Sequence, residues 1–182
     1  MTNKLYRLPE SCDFSMAQNS STSSHDCSPQ LLDSTINPFV GILINAPEEI
    51  IWTKDPVTGE YISGKPRLMV SGVVKLKYSY MGFNGNFSIK TLLVAVNKKT
   101  AKSYDGKMIF PDFLPQPKKK FKADIFPITG LSEISLNSPV ANYFNIDLIE
   151  NLGIPIDDAT YIVYAILGEF KSNALTIKTK VK

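Results

Sequence analysis

Histidine and arginine are scarce in this chain of 182 residues, and their scarcity narrows the chemistry that it can perform. The only histidine, His25, lies in a serine-rich N-terminal stretch, which argues against a nucleophilic triad or a histidine-rich metal site in the folded region. Arginine occurs only at Arg7 and Arg67, so a surface that reads phosphate through guanidinium forks is not expected. The strongest basic run, residues 118–122, is predicted to be a solvated loop. We therefore expect no nucleic-acid partner.

Cysteine is also rare, because Cys12 and Cys27 are the only two and both lie in the polar N-terminal segment. They could close a loop in an oxidising compartment, or both could stay reduced, and the sequence leaves the two alternatives open. With only His25 nearby, the pair supplies too few ligands for a structural zinc site. The sequence predicts no metal site.

Long apolar runs and cofactor motifs are absent from the sequence as well. No run approaches the ~20 apolar residues that cross a bilayer, and residues 1–11 lack the apolar centre of a signal peptide. We therefore expect no membrane span and, by default, a cytoplasmic protein, although its compartment is unknown. No P-loop, dinucleotide-binding, zinc-protease or EF-hand motif occurs, so no cofactor is expected.

The composition indicates one folded domain and a tail. Hydrophobic residues make up 43% of the chain, which is enough to build a real core. Residues 15–30 are serine-rich and nearly free of large apolar side chains, so they bury too little surface to offset the entropy lost on ordering. We predict a disordered tail at residues 1–37 and a β-sandwich domain at residues 38–182.

The C-terminal part of the chain carries the clearest fold signal. Residues 160–167 (TYIVYAIL) form a continuous β-branched and aromatic run, and residues 174–181 (ALTIKTKV) alternate with period two. Leu175, Ile177 and Val181 share one face of the second run. The pattern predicts a hairpin whose first strand is covered on both faces and whose second strand has a wet side.

Alternation and turn signals predict further strands along the rest of the domain. They lie at residues 39–46, 48–52, 67–80, 87–97, 103–110, 128–136 and 140–148. In the strand at residues 67–80, one face is expected to pack inward and the other to be mostly wet, and Gly72 marks a bulge or a close backbone approach. Helix is limited to one or two turns at residues 147–152, ended by Gly153 and Pro155.

Two of the intervening turns resemble each other. Residues 55–60 (DPVTGE) place Pro at an early turn position and Gly where φ is positive. Residues 97–102 (NKKTAK) follow a similar pattern, with Thr at the same place. We interpret the likeness as shared turn chemistry and not as an internal repeat. Residues 111–127 hold four prolines and are predicted to be a surface connection.

Many short strands and almost no helix predict an all-β fold. Residues 157–163 (DDATYIV) resemble the D-x-A-x-Y-x-C pattern of immunoglobulin-like domains, with Val163 in the place of the second cysteine. In that family the tyrosine lies at the corner before the penultimate strand, and its hydroxyl bonds the backbone just upstream. The resemblance implies an antiparallel two-sheet immunoglobulin-like sandwich of about seven to nine strands, with Tyr161 as the structural corner. The missing core cysteine pair and the early position of Trp52 favour a fibronectin type III-like or bacterial immunoglobulin-like sandwich.

The lack of a reactive constellation favours a non-catalytic module, so we predict no enzymatic activity. We expect a protein partner, bound through loops or through an unpaired strand edge. The candidate binding residues lie in two predicted loops, at residues 81–86 and 168–173: Gly82, Phe83, Asn84, Glu169, Phe170 and Lys171.

Two other functions stay open from the sequence. A carbohydrate-binding module would use aromatic side chains near predicted strand ends: Trp52, Tyr61, Tyr78, Tyr80, Phe83 and Tyr104. A hydrolase would need two carboxylates brought together across a groove, from among Asp105, Asp112, Asp124, Glu133 and Asp147. Glu150 with Asp157 and Asp158 could bind calcium, although we interpret the two aspartates as turn residues.

Overall fold

The computed structural model describes residues 5–9, 12–20, 26–32, 39–77, 90–109 and 139–182, and these residues are predominantly β. The strands are β1 (Tyr6–Arg7), β2 (Gln30–Leu31), β3 (Gly41–Asn45), β4 (Glu49–Trp52), β5 (Met69–Lys77), β6 (Leu92–Asn97), β7 (Ser103–Lys107), β8 (Pro139–Asp147), β9 (Ala159–Leu167), β10 (Phe170–Lys171) and β11 (Leu175–Val181). The helical elements are a 3₁₀ turn at Phe14–Met16 and helix α1 (Leu148–Leu152). The predicted strand at residues 128–136 and the predicted connection at residues 111–127 lie outside the described residues.

The strands form two main sheets and a short ribbon. The larger sheet has the order β4-β11-β9-β6-β7, with β10 also paired to β9, and the smaller sheet has the order β3-β5-β8. The ribbon joins β1 and β2. All described pairs are antiparallel except β4 with β11, which is parallel, so the larger sheet is mixed and the predicted antiparallel arrangement holds for the other pairs. The reason is that the chain passes from β3 to β4 without a hairpin reversal, and β4 therefore enters the larger sheet alongside β11.

The two main sheets share one hydrophobic core. Alternate residues of the paired strands point to the same face, as the period of a β-strand requires. Tyr161 and Phe144 are the largest side chains that are fully buried there. The other core side chains of the two sheets are Ile42, Ile44, Trp52, Val70, Val74, Leu76, Leu93, Ala95, Ile146, Val163, Ala165 and Ile177.

Gly72 allows a close approach inside this core. It pairs with Phe144 across β5 and β8, and a Cβ at Gly72 would lie within 2.7 Å of three atoms of the Phe144 ring. Real Cβ atoms do not tolerate such contacts, so the ring occupies the space that a side chain at position 72 would fill. The register between β5 and β8 is uninterrupted at Gly72, so of the two predicted alternatives the close approach is found and the bulge is not, and the approaching group is an aromatic side chain.

The outer face of β5 is buried, and the prediction of a mostly wet face is wrong there. Met69, Ser71 and Val73 are 2%, 0% and 0% exposed. The N-terminal segment lies over this face: its 3₁₀ turn contacts β5, and Asn45 of β3 donates a 3.0 Å side-chain hydrogen bond to Cys27 O. At the edge of the same sheet, Ser20 exchanges two backbone hydrogen bonds with Asn145 of β8, at 2.9 and 2.8 Å. A row of apolar and small polar side chains on this face is thereby removed from water.

The N-terminal segment therefore differs from the predicted disordered tail. Its described parts contain the β1–β2 ribbon and the 3₁₀ turn, and Ala17 and Cys27 are fully buried. Composition alone suggested too little apolar surface for ordering. The segment orders because the smaller sheet supplies the apolar and hydrogen-bonding surface on which it packs, and because a disulfide joins Cys12 to Cys27.

Helix α1 connects the two sheets and has the predicted ends. Asp147 caps its N-terminus, accepting hydrogen bonds from Ile149 N and from Leu68 N, both at 3.0 Å. Gly153 ends the helix with a φ of 66°, a conformation that glycine adopts without steric cost. The prediction of one or two helical turns ended by Gly153 is confirmed.

The two similar turns are also confirmed. The side-chain oxygen of Asp55 accepts hydrogen bonds from the amides two and three residues further on, at 2.7 and 2.9 Å. Asn97 does the same at 2.9 and 3.1 Å. The fifth residue of each turn has a positive φ: Gly59 at 72° and Ala101 at 57°. The shared pattern is turn chemistry, as interpreted from the sequence.

Strand β9 forms the predicted hairpin with β11, and β10 lies in the connection. The inner face of β9 is buried, but Ile162, Tyr164 and Ile166 on its outer face are only half-buried. The expectation that both faces are fully covered is therefore too strong. On β11, Ile177 is buried, whereas Lys178 and its alternate neighbours are exposed, so the predicted wet side is confirmed.

Candidate functional site

The first predicted binding loop lies outside the described residues. Gly82, Phe83 and Asn84 belong to the connection between β5 and β6. Strand β6 begins at Leu92, which pairs with Ile166 near the end of β9.

The second predicted loop turns back onto the core. Glu169 is exposed, but Phe170 is half-buried and packs against the core cluster. The ammonium of Lys171 lies 4.1 Å from the centroid of the Tyr164 ring, a cation–π distance. Phe170 is therefore a packing residue, and only Glu169 and Lys171 of the three predicted side chains present an open surface.

The end of this loop is held to the opposite sheet. The side chain of Asn173 hydrogen-bonds both the N–H and the C=O of Ile44, each at 2.9 Å. Ser172 Oγ accepts a 2.8 Å hydrogen bond from Ala165 N. Through these bonds the loop connects β9 of the larger sheet to β3 of the smaller sheet.

Tyr161 is fully buried, and its hydroxyl donates to Asp157 Oδ1 at 3.2 Å. The resemblance implied a bond to the upstream backbone, and the structure instead shows a bond to an upstream carboxylate. Burial, followed by the negative charge of Asp157, raises the pKa of the Tyr161 hydroxyl well above its ordinary value. A hydroxyl in this state is a structural donor and not a proton-transfer group at neutral pH.

The acidic residues considered for metal binding are engaged elsewhere. Asp157 receives the Tyr161 hydroxyl, and Asp158 Oδ1 accepts a 2.7 Å hydrogen bond from Val181 N. Glu150 accepts from the amide of Asn19 at 3.0 Å. No three metal-ligating side chains converge anywhere in the described ranges. The two aspartates organise the entry to β9 and the end of β11.

The described aromatic residues do not form an exposed platform. Trp52 is 3% exposed, and its indole N–H points to Arg67 O at 3.4 Å. Tyr61 and Tyr104 are half-buried against the core, and each lies under a lysine ammonium. Trp52, Tyr61 and Tyr104 therefore do not support the carbohydrate-binding alternative. The other three aromatics considered for it, Tyr78, Tyr80 and Phe83, lie outside the described residues.

A groove of about 980 Å³ lies where the N-terminal segment meets the start of β11. This volume is in the range of ligand-binding clefts. Its described lining comprises Leu8, Pro9, Cys12, Phe14, Asn45, Ala46, Pro47, Glu48, Glu49, Ala174, Leu175, Thr176 and Lys178. We call this surface the groove.

The groove exists because β11 extends beyond β4. Strand β4 pairs with β11 only from Lys178 onward. The chain before β4 crosses to the smaller sheet through Ala46 and Pro47, so within the described ranges no strand pairs with the first residues of β11 on that side.

The backbone of Thr176 faces this gap. Lys178 N donates to Glu48 O at 2.8 Å, so the N–H of residue 178 points toward β4. Residues two apart in a strand direct their N–H and C=O groups to the same side, and those of Thr176 therefore point into the groove. Among the described residues, neither group has a hydrogen-bond partner there. Thr176 is thus an unpaired strand edge beside a cavity.

One wall of the groove comes from the N-terminal segment. We call Leu8, Pro9, Cys12 and Phe14 the N-terminal wall. The disulfide joins Cys12 to the buried Cys27, with their Cα atoms 5.3 Å apart, which resolves the question that the sequence left open. The wall is therefore anchored covalently to the layer over the smaller sheet.

The floor of the groove is held by Asn45, which is 6% exposed. Its side-chain amide donates to Cys27 O at 3.0 Å and to Pro9 O at 3.3 Å. One side chain of β3 thus bonds both of the N-terminal stretches that the disulfide joins. These contacts connect the wall to the sheet.

The rim of the groove is charged on the side of β4 and β11. Lys180 Nζ lies 2.8 Å from Glu49 Oε1 and forms an ion pair and hydrogen bond with it. The hydrogen bond is the main cause that lowers the pKa of Glu49. Glu48 and Lys178 are exposed. A mixed rim around an apolar wall fits a polypeptide ligand better than a strongly charged one.

The chain matches no protein-family model, no curated protein and no solved structure in comparisons with known proteins. Within the described ranges, no helix is long and apolar enough to cross a membrane.

Sequence reasoning did not find the groove. Its residues come from three distant parts of the chain, and none belongs to a motif. The available signals were Pro47 between two predicted strands and the cysteine pair in the N-terminal segment.

Proposed function

We propose that this protein is a non-catalytic binding module that accepts an extended segment of a partner protein as an additional strand in the groove. The observation that carries the proposal is the unpaired backbone of Thr176 beside a cavity of about 980 Å³. Strand addition uses exposed N–H and C=O groups for affinity and neighbouring pockets for specificity. Thr176 offers the exposed backbone groups, and the N-terminal wall forms the neighbouring pocket.

The module is proposed to be an immunoglobulin-like sandwich. The order β11-β9-β6-β7 is compatible with the G-F-C-C′ sheet of such domains, and β3-β5-β8 with strands A, B and E. Tyr161 at the start of β9, directly after the connection from β8, supports this assignment. The fold assigns no function by itself, so the proposal rests on the groove.

The groove indicates the chemistry of the bound segment. A strand placed beside Thr176 would direct alternate side chains toward Leu8 and Phe14 on one face. An apolar side chain would bury surface there, and the next side chain would meet the charged rim near Glu48 and Lys178. The preferred ligand is therefore an extended peptide with an apolar residue flanked by polar ones.

The proposal is tested with a displayed library of random linear peptides. Peptides selected on the purified protein are synthesised, and their dissociation constants are measured by fluorescence anisotropy. Binding is expected to slow hydrogen exchange at the Thr176 amide, because that N–H gains a strand partner. Failure to select any peptide that protects this amide would contradict the proposal.

A proline substitution isolates the backbone contact. Thr176→Pro removes the N–H that faces the groove, in an exposed position at a strand edge where proline is tolerated. It is expected to weaken peptide binding by tenfold or more, about the loss of one hydrogen bond. Asp105→Pro on β7 is the matched control, because that residue also faces outward from an edge strand. Equal binding by the Thr176 variant and wild type would exclude strand addition at this edge.

A further inference from the structure

We propose that the Cys12–Cys27 disulfide is a redox latch of the groove: the oxidised disulfide holds the N-terminal wall in place, and its reduction releases the wall. Cys12 is the sulfur at which an external thiol attacks. The proposal adds regulation to the groove, and its effect on peptide binding rests on the function proposed above. The release of the N-terminal wall does not depend on that function and is measured separately.

The two sulfurs differ in access. Cys12 lines the groove and is partly exposed, whereas Cys27 is fully buried beneath the N-terminal segment. Thiol–disulfide exchange requires an attacking thiolate to reach one sulfur directly. The groove is therefore the route to the disulfide, and the attack takes place at Cys12.

The two cysteines also differ in what holds them. The backbone of Cys27 accepts a 3.0 Å hydrogen bond from the buried amide of Asn45. On the other side, Pro9 O accepts a 3.3 Å hydrogen bond from the same amide, and the described part of the ribbon pairs Tyr6 and Arg7 with Leu31 and Gln30. Phe14 lies in the 3₁₀ turn, which contacts β5. Cleavage of the disulfide removes the covalent link between the wall and Cys27, so we expect Cys27 to stay in place and the wall around Cys12 to loosen.

The reaction is an ordinary two-electron exchange with a dithiol reductant. The first thiolate of the reductant bonds to Cys12 Sγ, the Cys12–Cys27 bond breaks, and Cys27 leaves as a thiolate that takes up a proton. The second thiol of the reductant then displaces Cys12 as a thiolate, which is also protonated. The reductant is oxidised to its own disulfide, and both cysteines are reduced to thiols.

Trapping the first step identifies the attacked sulfur. The intact protein is treated with excess reduced glutathione, a monothiol, for a short time and quenched in acid. The freed thiol is then alkylated under denaturing conditions, and the two cysteines are located by peptide mass spectrometry. Glutathione is expected on Cys12 and the alkyl group on Cys27. Glutathione on Cys27, or an even distribution, would overturn the proposal.

Hydrogen exchange measures the release of the wall. In the reduced protein and in the Cys12→Ser/Cys27→Ser variant, amides of residues 5–14 are expected to exchange at least tenfold faster than in the oxidised protein. Amides of β5 and β9 are expected to keep their protection. Unchanged exchange at residues 5–14 would refute a latch, and a loss of protection throughout the domain would show global destabilisation in its place.

A peptide selected on the oxidised protein tests the control of the groove. It is expected to bind the reduced protein at least tenfold more weakly, and equal binding to both states would refute regulation of the groove. These outcomes are distinct from failure of the proposed function. The glutathione and exchange measurements need no peptide, so they decide the latch even if no peptide binds.

Discussion

The side-chain amide of Asn173 pairs with the backbone of Ile44 as a neighbouring strand would. Its oxygen accepts from Ile44 N and its nitrogen donates to Ile44 O, both at 2.9 Å. Ile44 is fully buried in the edge strand β3, so these two backbone groups would otherwise lack partners on that side. Asn151 makes the same kind of pair at an exposed place, with Lys107 O at 3.3 Å and Ile109 N at 2.8 Å.

The first prediction compares these two asparagines. Asn173→Ala is expected to lower the free energy of unfolding by about 2–4 kcal/mol, because it leaves a buried donor and a buried acceptor unsatisfied. Asn151→Ala, the matched control, is expected to cost less than about 1 kcal/mol, since water replaces its bonds. Urea denaturation measures both values. Similar costs at the two positions would show that burial of Ile44 does not decide the effect.

The second prediction uses the two related turns. Ala101 has a φ of 57° in the position that Gly59 occupies in the other turn. Ala101→Gly is expected to raise the free energy of unfolding by about 0.5–1 kcal/mol, because the relief of left-handed strain exceeds the added entropy of the unfolded chain. The reciprocal change Gly59→Ala is expected to lower it by about 1 kcal/mol. Thermal and urea unfolding of the pair check the opposite signs, and the same sign for both would contradict this account.

The third prediction concerns Gly72 and Phe144. Gly72→Ala is expected to lower the free energy of unfolding by about 3 kcal/mol or more, because the new methyl group overlaps the ring of Phe144. Adding Phe144→Leu is expected to cost less in this background than in wild type, since the smaller side chain makes room for the methyl group. A double-mutant cycle by urea denaturation measures the coupling. Additive effects of the two substitutions would argue against a direct overlap.

The fourth prediction follows from the buried hydroxyl of Tyr161. Burial and Asp157 raise its pKa in the folded state above the ordinary value of 10.0. Above that pH the unfolded chain releases the proton while the folded chain retains it, so stability falls as pH rises toward the folded pKa. The contribution is fully present below about pH 10 and declines above it by at most about 1.4 kcal/mol per pH unit.

The variant Tyr161→Phe isolates this effect. At neutral pH it is expected to be less stable than wild type by about 1–2 kcal/mol, through loss of the bond to Asp157. Between about pH 10 and 11 the difference from wild type is expected to shrink, because the variant has no hydroxyl to ionise at this position. Urea denaturation at a series of pH values gives the difference curve. A difference that stays constant with pH would rule out the assigned cause.

Local features of the fold were predictable from the sequence because they depend on residues close together in the chain. The turn at Asp55, the cap at Gly153 and the alternation of the paired strands each follow from the conformational preferences of a few neighbouring residues. Gly72 was flagged for the same reason, since glycine inside a strand usually admits another group. The identity of that group, the Phe144 ring, required the register of two distant strands.

The candidate site was not predictable, because it is made by parts of the chain that are far apart. In the sequence, Thr176 is an ordinary polar residue of an alternating strand. Its backbone has no paired strand on the groove side among the described residues, because β4 begins only opposite Lys178. Phe170 was predicted from the sequence to be a binding side chain of a loop. Its packing against the core became visible only in the tertiary structure.

The sequence by itself determined the β character of the domain, its turns and the inward faces of β5 and β11, since period-two alternation and turn chemistry are local properties. The tertiary structure alone decided what lies on the other faces. Alternation is the same whether the second face of a strand meets water or another segment, as β5 shows beneath the N-terminal layer. The parallel pairing of β4, the Cys12–Cys27 bond and the groove between them arise from long-range packing, which no local pattern records.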